Sequence, residues 1–448
     1  MKDYSFAEIG AAVDELQTRL GCRPPPHLLE EFQFGLHPNL LAYEKGRPIK
    51  HEHTALSRCL VGAESAARQP AHHYDIFGAC RRVKLVQLLN HALKVHDRAK
   101  TKGVEERLKK LKAEMQSDAF DAIVFELLVG ARYVERPGVA GLEYVPETSL
   151  KKTPDMTMRQ HGRPASCECK KLDRSKDFAV KTRASANAAL APTLAEFRRR
   201  RVSVTGDLVF HEDPSTTSPA RLRSAFLAAL DSSSPIIEPG FVVAARELPA
   251  YVSDSLQLYP SPAFAWERYG YRVRGEWMGI VHQLVGSRQS PVDPPHGLKP
   301  GPPSWIHCAA WDCGIKWRIG EKELFAKYRR FAFNTLKGSF AQLTGGANSV
   351  VHAWLESDYF LGGRKDVLED FLANVSSDPT FNIGWIVVNE TQLDISPKGF
   401  FDMIEHGHYM RGPTAVSRNP EVTTVFTDGG ARTAVFGRGV NLPDIDGP

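Results

Sequence analysis

A hairpin-like segment at residues 153–172 carries ionisable side chains on one face and soft apolar side chains on the other. Two runs that alternate with period two, as β-strands do, flank the turn-forming residues 161–164. The ionisable face holds two carboxylates and a lysine, Asp155, Glu168 and Lys170. Carboxylate oxygens are ligands for hard cations such as Mg²⁺. The opposite face holds Met156, Met158, Cys167 and Cys169.

The register of this hairpin decides which ionisable groups meet. We expect Gln160 to pair with Ala165 across the turn. Asp155 then lies opposite Lys170, and Glu168 lies one diagonal step from Asp155. Such neighbours are roughly 5 to 8 Å apart, so both carboxylates can hold one ion. Because a slip of one residue turns a whole strand over, this prediction depends on the register.

A third carboxylate, Glu126, lies in the middle of an apolar stretch at 119–134, upstream of the hairpin. The stretch has helical spacing and is apolar on all sides, so we expect a buried helix. A carboxylate there is costly unless a cation or hydrogen bonds compensate. Two interpretations remain open: Glu126 joins a metal site, or it pairs with a buried arginine.

Together these groups predict a hard-cation site beside a proton-handling amine. Mg²⁺ keeps several waters in proteins, and one of them can act as a nucleophile. The metal and Lys170 can then stabilise the charge on a phosphoryl group under attack. The alternative is an exposed hairpin whose charges face solvent, which fits the alternation but leaves Glu126 unexplained.

The ordered set of a helix with a central glutamate, Pro154-Asp155, and Glu168-Cys169-Lys170 on the next strand resembles the PD-(D/E)xK nuclease superfamily. That superfamily includes restriction endonucleases, Holliday-junction resolvases and many repair or defence nucleases. The resemblance implies that Asp155 and Glu168 bind metal, with the Cys169 carbonyl as a further ligand. It also implies that Glu126 supports the metal site and that Lys170 positions or activates water, so Glu126 is predicted as a metal ligand together with Asp155 and Glu168.

The resemblance further implies an α/β fold with a restriction-endonuclease-like core, a central mixed β-sheet flanked by helices. The core is expected to continue after the second motif strand with a helix and a further strand. Residues 184–211 are one candidate for this continuation, and a helix at 336–343 with a strand near 350–355 is another. In the second case, residues from about 212 to 320 form an insertion.

Positive charge is concentrated around the predicted site. From Lys151 to Arg201 there are fourteen Lys/Arg and five Asp/Glu, a net +9, whereas the rest of the chain carries −4. A polyanionic substrate requires such a field, and phosphate contacts make affinity depend on salt. A solvated helix end explains the arginine run 198–201 equally well. The residues predicted to bind nucleic acid are Lys151, Lys152, Lys171, Arg198, Arg199, Arg200 and Arg201.

The composition is that of an ordinary globular protein: 448 residues, 42% hydrophobic and 24% charged, with a net charge of +5. This excludes a wholly disordered, collagen-like or coiled-coil chain. Scattered cysteines, no secretory leader and no apolar run of ~20 residues predict a cytoplasmic protein without disulfides or membrane contact. The motifs of P-loop NTPases, dinucleotide-binding folds and α/β-hydrolases do not occur in the sequence.

Local patterns divide the chain into a helical N-terminal region (1–116), a nuclease-like core with an insertion (117–395), and a C-terminal segment with a loose tail (396–448). The Pro-rich stretch 287–304 predicts an exposed loop. Helical spacing covers about 5–20, 54–68, 76–98, 103–116, 184–200, 219–230 and 322–343. Strands are expected near 202–211, 240–246, 350–355 and 383–388.

The sequence therefore predicts a Mg²⁺-dependent endo- or exonuclease, in which Mn²⁺ would substitute, acting on nucleic acid. DNA is favoured over RNA, and a restriction, phage-defence or repair setting is what the resemblance implies. An alternative of another class stays open, a non-catalytic nucleic-acid-binding or assembly module on a nuclease-like fold. A homodimer, or a partner protein in a defence or repair complex, is compatible with both.

Overall fold

The computed structural model of the chain describes most of the predicted core. Lys151, Lys152 and the Pro-rich stretch 287–304 lie outside the described residues. The structure describes residues 6–21, 23, 56, 59–61, 63–64, 76–115, 120–146, 153–172, 176–249, 251–258, 276–284, 305–320, 334–340, 342–343, 348–356, 383–395, 401–412, 415, 419–426 and 433–435.

Helices make up the described N-terminal part of the chain. Ile9, Val13, Leu16 and Leu20 form the buried face of the first helix, at the spacing of one helical stripe. The fourth helix is apolar and buried on nearly all sides, as predicted around Glu126. The helices are α1 (Phe6–Leu20), α2 (Ile76–Ala99), α3 (Val104–Ala113) and α4 (Phe120–Val134).

A seven-stranded mixed sheet forms the centre of the fold, in the order β1-β2-β3-β10-β11-β12-β13. The first three strands are antiparallel, whereas β10 runs parallel to both β3 and β11. β12 is antiparallel to β11 and parallel to β13. The strands are β1 (Val139–Tyr144), β2 (Met156–Gln160), β3 (Arg163–Lys171), β10 (Val350–Glu356), β11 (Trp385–Ile395), β12 (Phe401–Arg411) and β13 (Thr433–Val435).

A second sheet of six strands has the order β5-β6-β4-β9-β7, with β8 also paired to β9. β4 and β9 are parallel, and the other pairs are antiparallel. Two helices, α5 (Lys176–Arg200) and α6 (Pro219–Ser232), accompany it. The strands are β4 (Val204–Phe210), β5 (Ile236–Glu238), β6 (Phe241–Glu247), β7 (Tyr251–Leu258), β8 (Glu276–Leu284) and β9 (Trp305–Ile319).

Separate hydrophobic cores cover the two faces of the first sheet. Side chains alternate along β10, so Trp354 enters the core formed with α1 to α4. Val351 and Ala353 enter the core shared with α5, α6 and the second sheet. The hairpin residues Met156 and Cys167 belong to the α1–α4 side. Glu168 alternates with Cys167 along β3 and therefore lies on the other face of that strand.

The predicted α/β class is confirmed, since mixed sheets are flanked by helices. The strands predicted at 202–211 and 240–246 are β4 and β6, and those at 350–355 and 383–388 fall in β10 and β11. The helix predicted at 184–200 begins earlier, at Lys176. Of the helix predicted at 322–343, residues 334–340 are described and helical.

The strand that continues the central sheet is not the first candidate. β4 follows β3 in the chain but belongs to the second sheet, whereas β10 is the parallel neighbour of β3. Parallel neighbours need a crossover connection, and here that crossover contains the whole second sheet. The second sheet starts at Val204, before the boundary of about 212 predicted for the insertion.

The structure also bears on membrane contact and cysteine chemistry. Among the described helices, none has the length and apolar character needed to cross a membrane. The described cysteines, Cys59, Cys167, Cys169 and Cys313, are buried, and none of them forms a disulfide. Burial raises the pKa of the Cys167, Cys169 and Cys313 thiols, which keeps them protonated.

Candidate active site

A two-residue turn sets the hairpin that carries the site. His161 and Gly162 have positive φ values of 49° and 78°, as a type I′ turn requires. Gln160 consequently pairs with Arg163. The predicted pairing of Gln160 with Ala165 is wrong by two residues, because the turn contains two residues and not four. An even shift keeps each side chain on its predicted face, so the ionisable set stays together.

Asp155 lies where β2 and β3 separate. Its backbone N–H donates to Oε2 of Glu168 at 3.1 Å, and its Oδ2 accepts from the backbone N–H of Cys169 at 2.8 Å. In the observed register Asp155 is therefore across from Glu168, and not from Lys170 as predicted. Asp155 and Glu168 are both buried. The two predicted metal ligands are thus adjacent.

Lys170 is the most accessible member of this cluster. Its ammonium pairs with the Glu168 carboxylate, and its side chain is 27% exposed. Burial lowers the pKa of Lys170, but the charges of Glu168 and Asp155 outweigh this effect, and its pKa lies above the ordinary value. Lys170 is therefore a protonated donor, suited to orienting a water or stabilising negative charge.

Glu126 reaches the cluster from α4 through an arginine. Nε of Arg107 lies 2.9 Å from Oε2 of Glu126, and Nη2 of Arg107 lies 3.9 Å from Oδ1 of Asp155. The Arg107 side chain is only 3% exposed. Of the two interpretations left open by the sequence, the pairing with a buried arginine is the one observed, and that Glu126 joins a metal site stays a prediction. Glu126 pairs with a buried arginine, and that arginine links it to Asp155.

Negative charge in the cluster exceeds what its surroundings compensate. Burial, followed by the charge of Asp155, raises the pKa of Glu126 to about 8, although Arg107 opposes the rise. Burial and Asp155 also raise the pKa of Glu168 to about 7, against the effect of Lys170. Three carboxylates face two paired cations, Arg107 and Lys170, and Lys110 lowers the pKa of Glu126 more weakly. Such a cluster is stabilised by binding protons or a further cation.

A glycine allows α3 to bring Arg107 to this position. Gly103 precedes α3 with a φ of 80°, and a Cβ there would lie 2.6 Å from the backbone oxygen of Tyr144. Tyr144 ends β1, and its ring centroid lies 5.6 Å from the Arg107 guanidinium. The backbone N–H of Tyr144 donates to the carbonyl of Lys102 at 3.0 Å. The start of α3 is therefore docked against the end of β1.

Two residues beside the cluster have structural partners. Lys171 was predicted to bind nucleic acid, but its ammonium pairs with the buried Asp121 and lies 4.8 Å from the ring centroid of Trp354. Its side chain is 11% exposed, so it does not offer a surface contact for phosphate. Cys169 turns its thiol into the core. That its carbonyl binds metal stays a prediction.

The structure does not bring the arginine run 198–201 to the cluster. These residues lie at the far end of α5, which has 25 residues and is therefore about 37 Å long. Arg199 and Arg200 pair with Glu196 on the same helix, and these contacts lower the pKa of Glu196 to about 2. Arg198 to Arg201 are nevertheless exposed. Any phosphate they contact lies remote from the carboxylates.

Sequence reasoning missed Arg107. The signal was its position, because Val104, Leu108 and Leu111 form the buried stripe of α3 and Arg107 falls within that stripe. An arginine on an apolar helical face requires a buried anion. Which anion it meets depends on how α3 packs on α4 and β1, and this was not visible in the pattern.

The carboxylate oxygens of the cluster suit a hard divalent cation, although Arg107 and Lys170 already pair with them. Carboxylate oxygens from Asp155 and Glu168 are adjacent, buried and incompletely neutralised, which is the setting that Mg²⁺ favours. Among the residues described, no group of three or more His, Cys, Asp or Glu side chains converges as a metal-binding set. Glu126 is turned to Arg107 in this arrangement.

No protein-family model matches this chain, and neither does any curated protein or solved structure. The functional argument therefore depends on the geometry of its own residues.

Proposed function

We propose that this protein is a Mg²⁺-dependent nuclease of the PD-(D/E)xK kind, which hydrolyses phosphodiester bonds in nucleic acid and prefers DNA. One observation carries the proposal. Asp155, Glu168 and Lys170 meet where β2 and β3 separate, in a buried site with more negative than positive charge. A cluster with only a structural role has no need of such an excess.

The order of elements supports the same proposal. The helix with Glu126 precedes β1 to β3, and the motif residues lie at the end of β2 and on β3. α5 and a further parallel strand, β10, follow in the chain. This is the arrangement expected of a restriction-endonuclease-like core, with the second sheet carried in the crossover between β3 and β10.

Asp155 and Glu168 are the residues that would hold the metal ion. When bound, Mg²⁺ polarises a phosphate and makes a coordinated water more acidic. The chain itself supplies the remaining parts. The N–H groups of Asp155 and Cys169 fix the two carboxylates, and the Lys170 ammonium neutralises charge that builds on the phosphate and orients the attacking water.

Positive charge also borders the site from the N-terminal helices. Lys110 of α3 is close enough to Glu126 to lower its pKa. A polyanion that approaches the carboxylates is thus met by Lys110 and Lys170 from two elements. The arginine run 198–201 would contact a distant part of the same nucleic-acid strand. These contacts would make the affinity for nucleic acid more salt-dependent than contacts at the cleavage site alone would make it.

One observation favours the alternative of a non-catalytic nucleic-acid-binding or assembly module. Arg107 already pairs with Glu126, and no three-ligand metal group is found among the described residues. In that case the cluster is a structural ion-pair network. This alternative predicts that nucleic acid binds without metal and is not cleaved.

The test is a cleavage assay with supercoiled plasmid, linear duplex DNA, single-stranded DNA and single-stranded RNA, with Mg²⁺ or EDTA. We expect Mg²⁺-dependent cleavage of DNA that is lost in Asp155→Asn and reduced on the order of 100-fold or more in Lys170→Met. Lys316→Met is the matched control, because Lys316, like Lys170, pairs with a carboxylate on a strand, that of Asp207. Cleavage that survives in both Asp155→Asn and Lys170→Met refutes the assignment.

A further inference from the structure

The guanidinium of Arg107 is held on several sides at once. Besides its contacts with the carboxylates of Glu126 and Asp155, its Nη2 donates to the backbone carbonyls of Val145 and Asp155, both at 3.3 Å. The Tyr144 ring lies on one side of it. Arg107 therefore connects α3, α4, the end of β1 and the start of β2.

Asp155 is the point where these contacts converge. Its carbonyl accepts from Arg107 and from the backbone N–H of Val145, the latter at 3.0 Å. Its carboxylate accepts from Cys169 and lies beside Arg107. Arg107 thus holds the backbone of Asp155 and lies 3.9 Å from its carboxylate, which Cys169 holds, just before β2 begins.

The three carboxylates divide into two groups on this geometry. Glu126 lies against Arg107, with its Oε2 2.9 Å from Nε, whereas Glu168 is paired with Lys170 and hydrogen-bonded to Asp155. A cation added beside Asp155 and Glu168 has to share Glu168 with Lys170 but leaves the contact between Arg107 and Glu126 in place. A cation bound by Oε2 of Glu126 has to displace Arg107.

We propose that Arg107 is a positioning residue of the site, which holds Asp155 in place for the metal ion and takes Glu126 as its counter-ion. Asp155 and Glu168 then bind the ion, and Glu126 does not. The inference rests on the proposed function and deepens it, because it makes the helical N-terminal region a structural part of the metal site.

The chemistry of arginine explains why lysine is not equivalent here. The guanidinium is planar and carries several N–H donors, so one side chain can contact a carboxylate and two carbonyls together. A lysine at position 107 retains the charge but has a single nitrogen. Residues that orient metal ligands in this way typically change metal affinity on the order of 10- to 100-fold when they are replaced.

The test is Mn²⁺ binding to the full chain without nucleic acid, measured by isothermal titration calorimetry, with circular dichroism to check folding. The variants are Arg107→Met, Arg107→Lys, Glu126→Gln and the double variant Arg107→Met/Glu126→Gln. Asp155→Asn serves as the reference for a lost ligand. Arg98→Met is the matched control, because Arg98 is an exposed arginine on α2.

We expect Arg107→Met to weaken Mn²⁺ binding on the order of 10-fold or more and Arg107→Lys to weaken it less. Glu126→Gln should bind nearly as the wild type does, and the double variant no worse than Arg107→Met, because the two residues act as a pair. Wild-type affinity in folded Arg107→Met overturns the inference. So does a loss in Glu126→Gln as large as that in Asp155→Asn.

The remaining outcomes are also decisive. If Arg107→Met does not fold, Arg107→Lys decides, since wild-type affinity in that variant overturns the inference and weaker binding with unchanged folding supports it. A wild type that binds no Mn²⁺ overturns the proposed function and this inference with it. A wild type that binds Mn²⁺ while Arg107→Met is unaffected overturns only the role of Arg107.

Discussion

Two buried polar networks border the first sheet, and they are satisfied in different ways. In the network that we call the relay, the Tyr133 hydroxyl donates to Nε2 of His352 at 3.0 Å. With its proton on Nδ1, His352 donates to Oδ1 of Asn389 at 3.3 Å, and Nδ2 of Asn389 donates to Glu405 at 2.8 Å. Each donor in the relay thus meets an acceptor.

The relay ends on a carboxylate that is matched by neutral donors. Glu405, at 1% exposure, also accepts from the backbone N–H groups of Val425 and Phe426, at 2.8 to 3.0 Å. These bonds tie residues 419–426 to β12. The relay joins α4, β10, β11 and β12, and its donors and acceptors already have partners within the protein.

The cluster around Asp155 lacks this balance. Its carboxylates outnumber its cations, and burial raises the pKa of both Glu126 and Glu168. The difference teaches that burial and hydrogen bonding alone do not identify a functional site. A carboxylate that neutral donors satisfy fixes the fold, whereas crowded buried carboxylates with raised pKa values are a candidate place for a ligand.

The largest effect is expected in the relay. Glu405→Gln turns an amide group toward N–H donors that need an acceptor, and we expect a loss of about 4 kcal/mol in the free energy of unfolding. Urea unfolding measures it. Glu421→Gln is the control, because Glu421 pairs with an exposed His161. A loss no larger than that of the control contradicts the structural role of the relay.

The relay should also make the protein sensitive to acid. Burial lowers the pKa of His352 to about 4 from its ordinary 6.5. Between these values the unfolded chain binds the proton and the folded chain does not, so stability falls as the pH drops through this window, by about 3 kcal/mol in total. His352→Gln should start from lower stability and show a smaller slope between pH 6.5 and 4. An unchanged slope excludes His352 as the cause.

The cluster should respond to pH in the opposite direction. The folded-state pKa of Glu126 is about 8, above its ordinary 4.5, so the folded chain binds more protons between these values. Without metal, stability therefore falls as the pH rises through this window. The stability of Glu126→Gln should depend less on pH between 4.5 and 8 than that of the wild type, because the amide does not titrate. An equal pH dependence in the two proteins contradicts the raised pKa of Glu126.

The smallest effect concerns the support of the cluster. Gly103→Ala adds a Cβ close to the Tyr144 backbone at a positive φ, and we expect a loss of about 1 to 2 kcal/mol. Because α3 carries Arg107, Mn²⁺ binding should weaken as well, while the acid response of the relay stays unchanged. Gly338→Ala, where a Cβ meets nothing within 4 Å, is the control, and it should be neutral to slightly stabilising because Gly338 lies in a helix.

Local alternation was sufficient to predict the faces of the hairpin but not its register. A type I′ turn at His161-Gly162 shortens the connection by two residues, and period-two patterns do not distinguish registers that differ by an even number. The ionisable set was predicted correctly as a set for that reason, while the partner of Asp155 was not.

Contacts between distant segments account for what the sequence did not predict. Arg107 and Glu126 lie on separate helices, and their pairing depends on the packing of α3 against β1. The relay joins residues from 133 to 426, and none of them stands out by its local pattern. β4 belongs to the second sheet because it pairs with β9, which lies more than ninety residues later in the chain.

A crystal soaked with Mn²⁺ tests the central claim most directly, because the anomalous signal locates the ion. The charge excess predicts a peak at about 2.1 Å from carboxylate oxygens of both Asp155 and Glu168. Glu126 should remain paired with Arg107. At saturating Mn²⁺, no peak within the cluster, or a peak bound only by residues elsewhere, would contradict the assignment of this cluster as the metal site of a nuclease.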